Sequence, residues 1–390
     1  MPRRRDIPRV LLLVETSSGY GRAILEGIGH YVREHGPWSI CFEERGLEDP
    51  PPRDLAQWQG EGIIARTATR VMQRQLLATG LPMVELLGCE TEGPAKVHGD
   101  NLAGGRMAAE HLLDCRLGVF GFYSCAHAWW IDALREGYVQ GLRRRGYGCH
   151  VFTPPQRRQS LMPHWSERLR PAVGVWLRQL PKPVGIFVPS NLDGRYLLEF
   201  CRGLGIAVPE QAAILAAGDD PAICGVTTPP LSSIDFDSAR IGYQAAALLE
   251  RLMRGRRPPR KALWIPPTRV VVRQSSDVVA IADDDVAKAV RFIREQACQG
   301  ISVLDVANAV ALSRRMLERR FRMHLGRTPR AEILRVQMDQ ARYLLGHTDL
   351  SVERLAAKAG FVSFKHFARA FRREAGMTPR AYRKAHRLGA

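Results

Sequence analysis

The sequence predicts an α/β protein whose larger part is a two-lobed α/β region, followed by a smaller all-α region. Residues 8–275 alternate between short apolar strands and amphipathic helices, which is typical of parallel sheets covered by helices. Residues 302–383 contain two similar helical segments, related by an offset of 49 to 50 residues. The length of 390 residues suits two or three domains.

The elements of the α/β region follow one another with short polar connections. We expect strands at 9–14, 39–43, 62–65, 82–86, 119–123, 149–153, 185–188 and 213–217. Between them we expect helices at 23–34, 71–79, 102–113, 134–146, 166–179 and 194–204. About ten such units are too many for one small sheet, so the sequence predicts two doubly wound lobes.

Polar and aromatic residues follow several of these strands, at the edge where open parallel sheets bind ligands. The candidates are Glu15, Tyr20, Asp100, Trp130, Asn191 and Asp219. Carboxylates and amides bond to hydroxyl groups and a flat ring stacks on an apolar sugar face, so this set suits a small sugar. Asp and Asn after a strand also act as helix caps or turn formers, so either role is open for each of them.

The all-α region repeats one pattern of helix caps. Ser302 and Ser351 each begin a short helix, and Ser313 and Ser363 each begin a longer one. A glycine ends the longer helix in each copy, and a Thr-Pro pair opens the next helix. Short helix, turn and longer helix form a helix-turn-helix, so we expect two such units in tandem.

The longer helix of each copy has an apolar inner face and a basic outer face. In the second copy we expect Phe364, Phe367 and Phe371 to be buried. Arg and Lys on the outer face can read guanine edges in the major groove and neutralise phosphates. The predicted DNA-binding residues are Ser313, Arg314, Arg315, Glu318, Arg319, Ser363, Lys365, His366, Arg369 and Arg372.

The positive charge is concentrated in the all-α region. Residues 286–390 carry 22 Lys and Arg against 8 Asp and Glu, a net charge of +14. The preceding 285 residues carry 35 basic and 31 acidic residues, a net charge of +4. A positive field confined to one region favours a polyanionic partner, double-stranded DNA, over a general solubility charge.

The second copy also carries the motif of a known family. Its residues are Ala356, Gly360, Phe361, Phe367, Phe371, Gly376, Thr378, Pro379, Tyr382 and Arg383. Residues 285–390 therefore resemble the AraC-type DNA-binding domain, in which a linker helix joins two helix-turn-helix units. The resemblance implies transcription regulation, with base contacts from the helices that begin at Ser313 and Ser363 and with RNA polymerase as a partner.

The α/β region resembles a second family, through the runs DNLAGGRMAAEHLL, GLGIAVPEQAAILAAGDD and LSSIDFDSARIGYQAAALLERLMRG. This is the lac-repressor and periplasmic sugar-binding-protein fold, whose two lobes hold a sugar in the cleft between them. The resemblance adds Arg135 to the sugar-binding candidates, because Leu134 beside it occupies the position where the related regulators carry an arginine.

A sensor of this kind in front of an AraC-type domain resembles the xylose operon regulators over essentially the whole chain, on runs such as GYGRAILEGIGHYV and IPPTRVVVRQSSD. That resemblance implies D-xylose as the effector, activation of xylose-utilisation genes and a homodimer. Another pentose, a polyol or another small metabolite remains open as the effector.

Several classes of protein are disfavoured. The phosphate-binding motif GxxxxGK[ST] and the nucleophile motif GxSxG are absent, so we expect no enzyme and no cofactor. The cysteines lack the spacing of metal ligands, so we expect no metal. The chain has no signal-peptide core and no apolar run long enough to span a membrane, which predicts a cytoplasmic protein rather than a transport binding protein. The predicted boundaries are a tail at 1–7, a sensor at 8–275, a linker at 276–285 and a DNA-binding domain at 286–390.

Overall fold

The computed structural model describes residues 7–87, 94–154, 169–277, 283–348 and 350–386. The chain forms two compact units, Met1–Val278 and Val279–Ala390. Residues 1–6 of the predicted tail, 278–282 of the predicted linker and 166–168 of a predicted helix lie outside the described residues.

The first unit is α/β. Its strands are β1 (Arg9–Leu13), β2 (Ser39–Phe42), β3 (Gly62–Ala65), β4 (Met83–Glu85), β5 (Ala95–Gly99), β6 (Val119–Phe122), β7 (His150–Val151), β8 (Val184–Val188), β9 (Ala212–Ala217), β10 (Ser232–Asp235), β11 (Leu263–Ile265) and β12 (Arg269–Val271). Its helices are α1 (Gly19–His35), α2 (Arg70–Leu77), α3 (Asn101–Asp114), α4 (Trp129–Arg143), α5 (Arg170–Gln179), α6 (Asn191–Gly203), α7 (Pro221–Val226) and α8 (Ser238–Met253).

The strands form two six-stranded sheets, one for each lobe. The first has the order β11-β5-β4-β3-β1-β2 and is parallel throughout. The second has the order β12-β10-β9-β8-β6-β7, and only its edge strand β12 runs antiparallel to its neighbour. Apolar strands such as β8 and β9 are buried along their whole length, as strands covered on both faces must be. The predicted two-lobed α/β fold is confirmed.

The chain passes between the lobes three times. It leaves the first sheet after β5, returns after β10 to place α8 against β3, β4 and β5, and crosses again between β11 and β12. The sequence prediction lacked β5 as a separate strand. The chain also forms a short 3-10 helix, Leu55–Gln57, before β3.

Helices α3 and α4 pack with their backbones in contact. A Cβ atom at Gly105 would lie 2.1 Å from the carbonyl oxygen of Leu134, and one at Gly137 would lie 2.1 Å from that of Leu102. Each helix thus supplies a glycine where the other comes closest. This close approach sets the position of the first turn of α4, which carries Trp129 and Trp130.

The second unit is all-α. Its helices are α9 (Asp284–Gln296), α10 (Val303–Ala309), α11 (Arg314–Leu325), α12 (Pro329–His347), α13 (Val352–Lys358), α14 (Phe364–Ala375) and α15 (Pro379–His386). Helices α10 and α11 form the first helix-turn-helix, and α13 and α14 form the second. The predicted double helix-turn-helix is confirmed.

The predicted caps of this unit are in place. The Ser302 hydroxyl accepts from the backbone N–H of Asp305, whose carboxylate accepts from the N–H of Ser302, so the two residues form a capping box. The Ser313 and Ser363 hydroxyls cap α11 and α14. Gly326 and Gly376 end these helices in the left-handed conformation.

We predict that Gly105→Ala destabilises the first unit by about 1–3 kcal/mol, because the new methyl group would overlap a backbone carbonyl that cannot rotate away. Denaturant unfolding followed by tryptophan fluorescence measures this change. The matched control is Gly118→Ala, where no atom lies within 4 Å of the added Cβ. Equal effects of the two substitutions would contradict the close approach of α3 and α4.

Candidate functional site

A cavity of about 190 Å³ lies between the two lobes of the first unit. Its lining comes from the segments that follow β1, β3 and β4 or end β5 in the first sheet, and from those that follow β6, β8, β9 and β10 in the second. Both sheets therefore present the carboxyl ends of their parallel strands to one space, which is where open α/β sheets bind ligands.

A buried ion pair joins two neighbouring strand ends at this cavity. Arg66, directly after β3, donates to Glu15, two residues after β1, and both side chains are at least nine-tenths buried. The Ser18 hydroxyl, which caps α1, donates to the same Glu15 oxygen at 2.8 Å. The Arg66 guanidinium also lies over the Tyr20 ring, 4.7 Å from its centroid. Burial lowers the pKa of Arg66 to about 10, although the nearby negative charge of Glu85 acts to raise it. Arg66 is therefore charged at neutral pH.

A second buried carboxylate lies behind the cavity. Glu85 Oε1 accepts from the N–H and hydroxyl of Thr67 and from the N–H of Leu87, and Glu85 Oε2 lies 3.6 Å from His98 Nε2. Burial opposes ionisation of Glu85, but the bonds from His98, Thr67 and Leu87 outweigh it and hold its pKa below the ordinary value. The charge thus orients His98, whose ring lines the cavity and lies against Trp129 at 5.7 Å between centroids.

Several residues of the described cavity lining carry buried polar atoms without protein partners. Within the described part of the chain, Glu15 Oε2 and the indole nitrogens of Trp129 and Trp130 are buried and make no hydrogen bond. All three residues line the cavity. Buried polar atoms are costly when they are unpaired, so this combination fits a hydroxyl-rich ligand that both accepts and donates hydrogen bonds.

One ion pair links the two lobes at the edge of the cavity. Arg22 of α1 reaches Asp220 Oδ2 at 3.2 Å, while Asp220 Oδ1 caps α7 by accepting from Ala222 and Ile223. Arg22 also donates to the carbonyl oxygen of Thr16. The start of α1 in one lobe and the start of α7 in the other are therefore joined through two side chains.

Four of the seven sugar-binding candidates line this cavity, namely Glu15, Tyr20, Trp130 and Asn191. The other three lie outside the lining. Asp100 caps α3 by accepting from Ala103, Arg135 pairs with Asp132, and Asp219 pairs with Arg273 and accepts from Ser233. In each case a sequence neighbour lines the cavity instead, namely Asn101, Leu134 and Asp220. The right segments were identified from the sequence. Which of two adjacent side chains faces the cavity depends on where the following helix begins and how it is turned.

Sequence reasoning missed Arg66 and His98 as lining residues. Arg66 follows a predicted strand directly, so the rule that selected Glu15 applies equally to it. His98 lies within β5, and because β5 was not predicted no pattern singled it out.

The predicted DNA-binding residues lie on the outer faces of α11 and α14. Arg315, Arg319, Lys365, His366, Arg369 and Arg372 are exposed, while Leu317, Phe321, Phe367 and Phe371 are buried beneath them. Arg314 is exposed and pairs with the half-buried Glu318 at 2.9 Å, one helical turn away. Ser313 and Ser363 are exposed caps. The two helices thus present basic faces of the kind that enters a major groove.

The prediction that Phe364 is buried was wrong. Its side chain is 42% exposed, and Val362 just before the helix is fully exposed. Phe364 is the first residue of α14. In the turn between α13 and α14, the ring of Phe361 packs inward instead, against Phe367. The apolar stripe of α14 therefore begins at Phe367.

Two negative findings apply to the ranges that the structure describes. No helix there is long and apolar enough to cross a membrane. No group of three or more His, Cys, Asp and Glu side chains there is arranged to hold a metal ion.

Three family models match successive parts of the chain: a XylR N-terminal domain at 9–95, a periplasmic binding protein-like domain at 109–276 and a helix-turn-helix domain at 306–385. The chain is 30% identical over 386 residues to the xylose operon regulatory protein of Escherichia coli K12, covering 96% of each. It is 29% identical to that of Haemophilus influenzae, covering 96% of this chain and 98% of the relative. A solved structure of the xylose-binding transcription activator xylR superposes with a TM-score of 0.78 at 28% identity, covering 98% of this chain and all of that one.

We predict that Arg66→Met destabilises the first unit by about 3–5 kcal/mol, because Glu15 is left as a buried charge without its partner. The double variant Glu15→Gln with Arg66→Met should recover most of this loss, because it leaves no buried charge unpaired. A double-mutant cycle by denaturant unfolding measures the coupling. The exposed pair Glu199–Arg202 gives the control, and Arg202→Met should change stability by no more than about 1 kcal/mol.

Proposed function

This chain belongs to the family of xylose operon regulatory proteins, and on that premise we propose that it is a transcription activator whose effector is D-xylose. The DNA-binding region is the double helix-turn-helix at 286–390, the sensor spans 8–275, and 276–285 link them. The proposal also includes a cytoplasmic location, a homodimer, RNA polymerase as a partner and the absence of catalytic activity.

The observation that carries the effector proposal is the chemistry of the cavity between the lobes. The lining combines the tryptophans Trp129 and Trp130 with acidic and amide residues that include Glu15 and Asn191. The cavity volume of about 190 Å³ is smaller than the roughly 300–1,000 Å³ of pockets for drug-sized ligands, which suits a monosaccharide better than a longer chain. Among the described residues of the lining, Arg66 is the one arginine or lysine, and Glu15 already matches its charge, which disfavours a sugar phosphate as the ligand.

Sugar binding is proposed to change the affinity of the chain for its operator. A ligand shifts an equilibrium only by the difference in its affinity for two states, so D-xylose must bind the DNA-competent state more tightly. The reciprocal effect follows from the same linkage: operator DNA should tighten D-xylose binding by the same factor. Equal sugar affinity with and without operator would remove the regulatory part of the proposal.

The first prediction concerns the effector. Titration calorimetry of the full chain should show saturable binding of D-xylose, with L-arabinose, D-ribose and D-glucose much weaker. Trp130→Ala and Asn191→Ala should each weaken binding about 5- to 150-fold, since each leaves a polar or stacking contact unmade at a cost of about 1–3 kcal/mol. Arg135→Ala should not, because its side chain pairs with Asp132 outside the lining.

The outcomes separate the alternatives. Binding of another pentose or a polyol in place of D-xylose, with the same response to Trp130→Ala, keeps the site and replaces the effector. Loss of binding in Arg135→Ala with retention in Trp130→Ala would move the site away from this cavity.

The second prediction concerns DNA. Duplexes selected by the full chain from a random pool serve as the operator. Arg315→Ala in α11 and Arg369→Ala in α14 should each weaken binding about tenfold and lower the slope of log affinity against log salt by about one, because each removes one cation from the interface. Arg145→Ala, an exposed arginine of the sensor, is the control and should leave both quantities unchanged. An unchanged affinity in Arg315→Ala would exclude α11 from the interface.

A further inference from the structure

The two helix-turn-helix units have separate apolar cores that share one helix. Ile333 and Val336 of α12 pack into the first core, with residues of α9, α10 and α11. Met338 and Ala341 of the same helix pack into the second core, with residues of α13 and α14. The cores therefore do not themselves hold one helix-turn-helix against the other. If α12 were the only connection, the second helix-turn-helix could rotate about the axis of α12 relative to the first.

Gln337 lies on α12 at the boundary between these cores. Its side chain is 7% exposed, although glutamine is a polar residue that is usually at the surface. Its Nε2 donates to the carbonyl oxygen of Ala297, just after α9, at 2.9 Å and to that of Gly360, in the turn before α14, at 3.1 Å. Both N–H protons of the Gln337 side-chain amide are thus in hydrogen bonds, one to each helix-turn-helix region.

The backbone of the two units meets at the same point. Gly360 has φ of +85°, and a Cβ atom there would lie 2.6 Å from the carbonyl oxygen of Ala297 and 2.9 Å from Cys298 Cα. The same atom would lie 2.8 Å from Gln337 Nε2. Any side chain at position 360 would therefore push the turn of the second helix-turn-helix away from the first helix-turn-helix. The positive φ would add backbone strain.

We propose that Gln337 is a positioning residue that locks the two helix-turn-helix units together, so that α11 and α14 read two DNA segments at one fixed separation. We call the contact of Gln337, Ala297 and Gly360 the amide clasp. The inference rests on the proposed DNA-binding function, but it concerns how the two units act together rather than whether they bind.

The clasp predicts a strict dependence on DNA spacing. The duplex turns once in about 10.5 base pairs and 34 Å, so one inserted base pair moves the second segment by about 3.4 Å and turns it by about 34°. A rigid pair of helices cannot follow this rotation, whereas a pair joined only by α12 can. Loss of the clasp should therefore weaken binding to the natural spacing and flatten the dependence on spacing.

The test compares Gln337→Met, which keeps the length of the side chain but has no N–H donors, with Gln340→Met on the same helix. The full chain binds its selected duplex and versions with one base pair added or removed between the segments contacted by α11 and α14. Wild type and Gln340→Met should lose at least tenfold on either change. Gln337→Met should bind the parent duplex on the order of tenfold more weakly and lose less than about threefold further.

A second variant and a DNA-free measurement keep the outcomes distinct. Gly360→Ala perturbs the clasp from the other unit and should give the same flattened spacing profile. In both variants, amide hydrogen exchange at 359–361 should be at least tenfold faster without DNA, while exchange within α11 is unchanged. A spacing profile like that of wild type, or faster exchange throughout both units, would overturn the clasp as a positioning device. Failure of wild type to select any duplex would instead overturn the proposed function.

Discussion

The buried ion pair between Glu15 and Arg66 is the interaction on which the sensor cavity depends. These residues follow β1 and β3, which are hydrogen-bonded neighbours at the point where the sheet order reverses. Through Ser18 the pair is tied to the start of α1, and through Tyr20 to an aromatic ring of the cavity wall. A buried carboxylate and guanidinium compensate each other only at close range, so the pair restricts the positions of three segments at once, the ends of β1 and β3 and the start of α1.

The two lobes contribute to the cavity in different ways. The first lobe supplies the buried ion pair of Glu15 and Arg66 and the imidazole of His98. The second supplies Asn191 at the start of α6 and the two indole rings at the start of α4, which the glycine contacts bring against α3. A ligand that contacts both sets also bridges the lobes near the Arg22–Asp220 pair. The cavity lining and the ion pair between the lobes therefore involve the same two helix starts, those of α1 and α7.

The DNA-binding unit contains two small apolar cores that must be held together. Each core is built from a few helices around buried phenylalanines, Phe321 in the first and Phe361, Phe367 and Phe371 in the second. The unit also contains a buried carboxylate, that of Glu332. It forms ion pairs with Arg335 of α12 and with Arg327, which lies just before α12. Burial opposes ionisation of Glu332, but these arginines outweigh it and hold its pKa below the ordinary value. The amide clasp is the neutral counterpart of this arrangement.

The sequence by itself determined the alternation of strands and helices apart from elements such as β5, the repeat, its serine, glycine and Thr-Pro caps, and the concentration of positive charge. These features depend on the periodicity of neighbouring residues and on single-residue conformational preferences, which local sequence expresses directly. Only the tertiary structure decided which of two adjacent side chains faces the cavity, as with Asp219 and Asp220 or Leu134 and Arg135. It alone revealed that Arg66 pairs with Glu15, 51 residues away, and that Gln337 joins carbonyls 40 residues before it and 23 after it. Such contacts depend on how distant segments approach one another, and residue spacing along the chain carries no record of that distance.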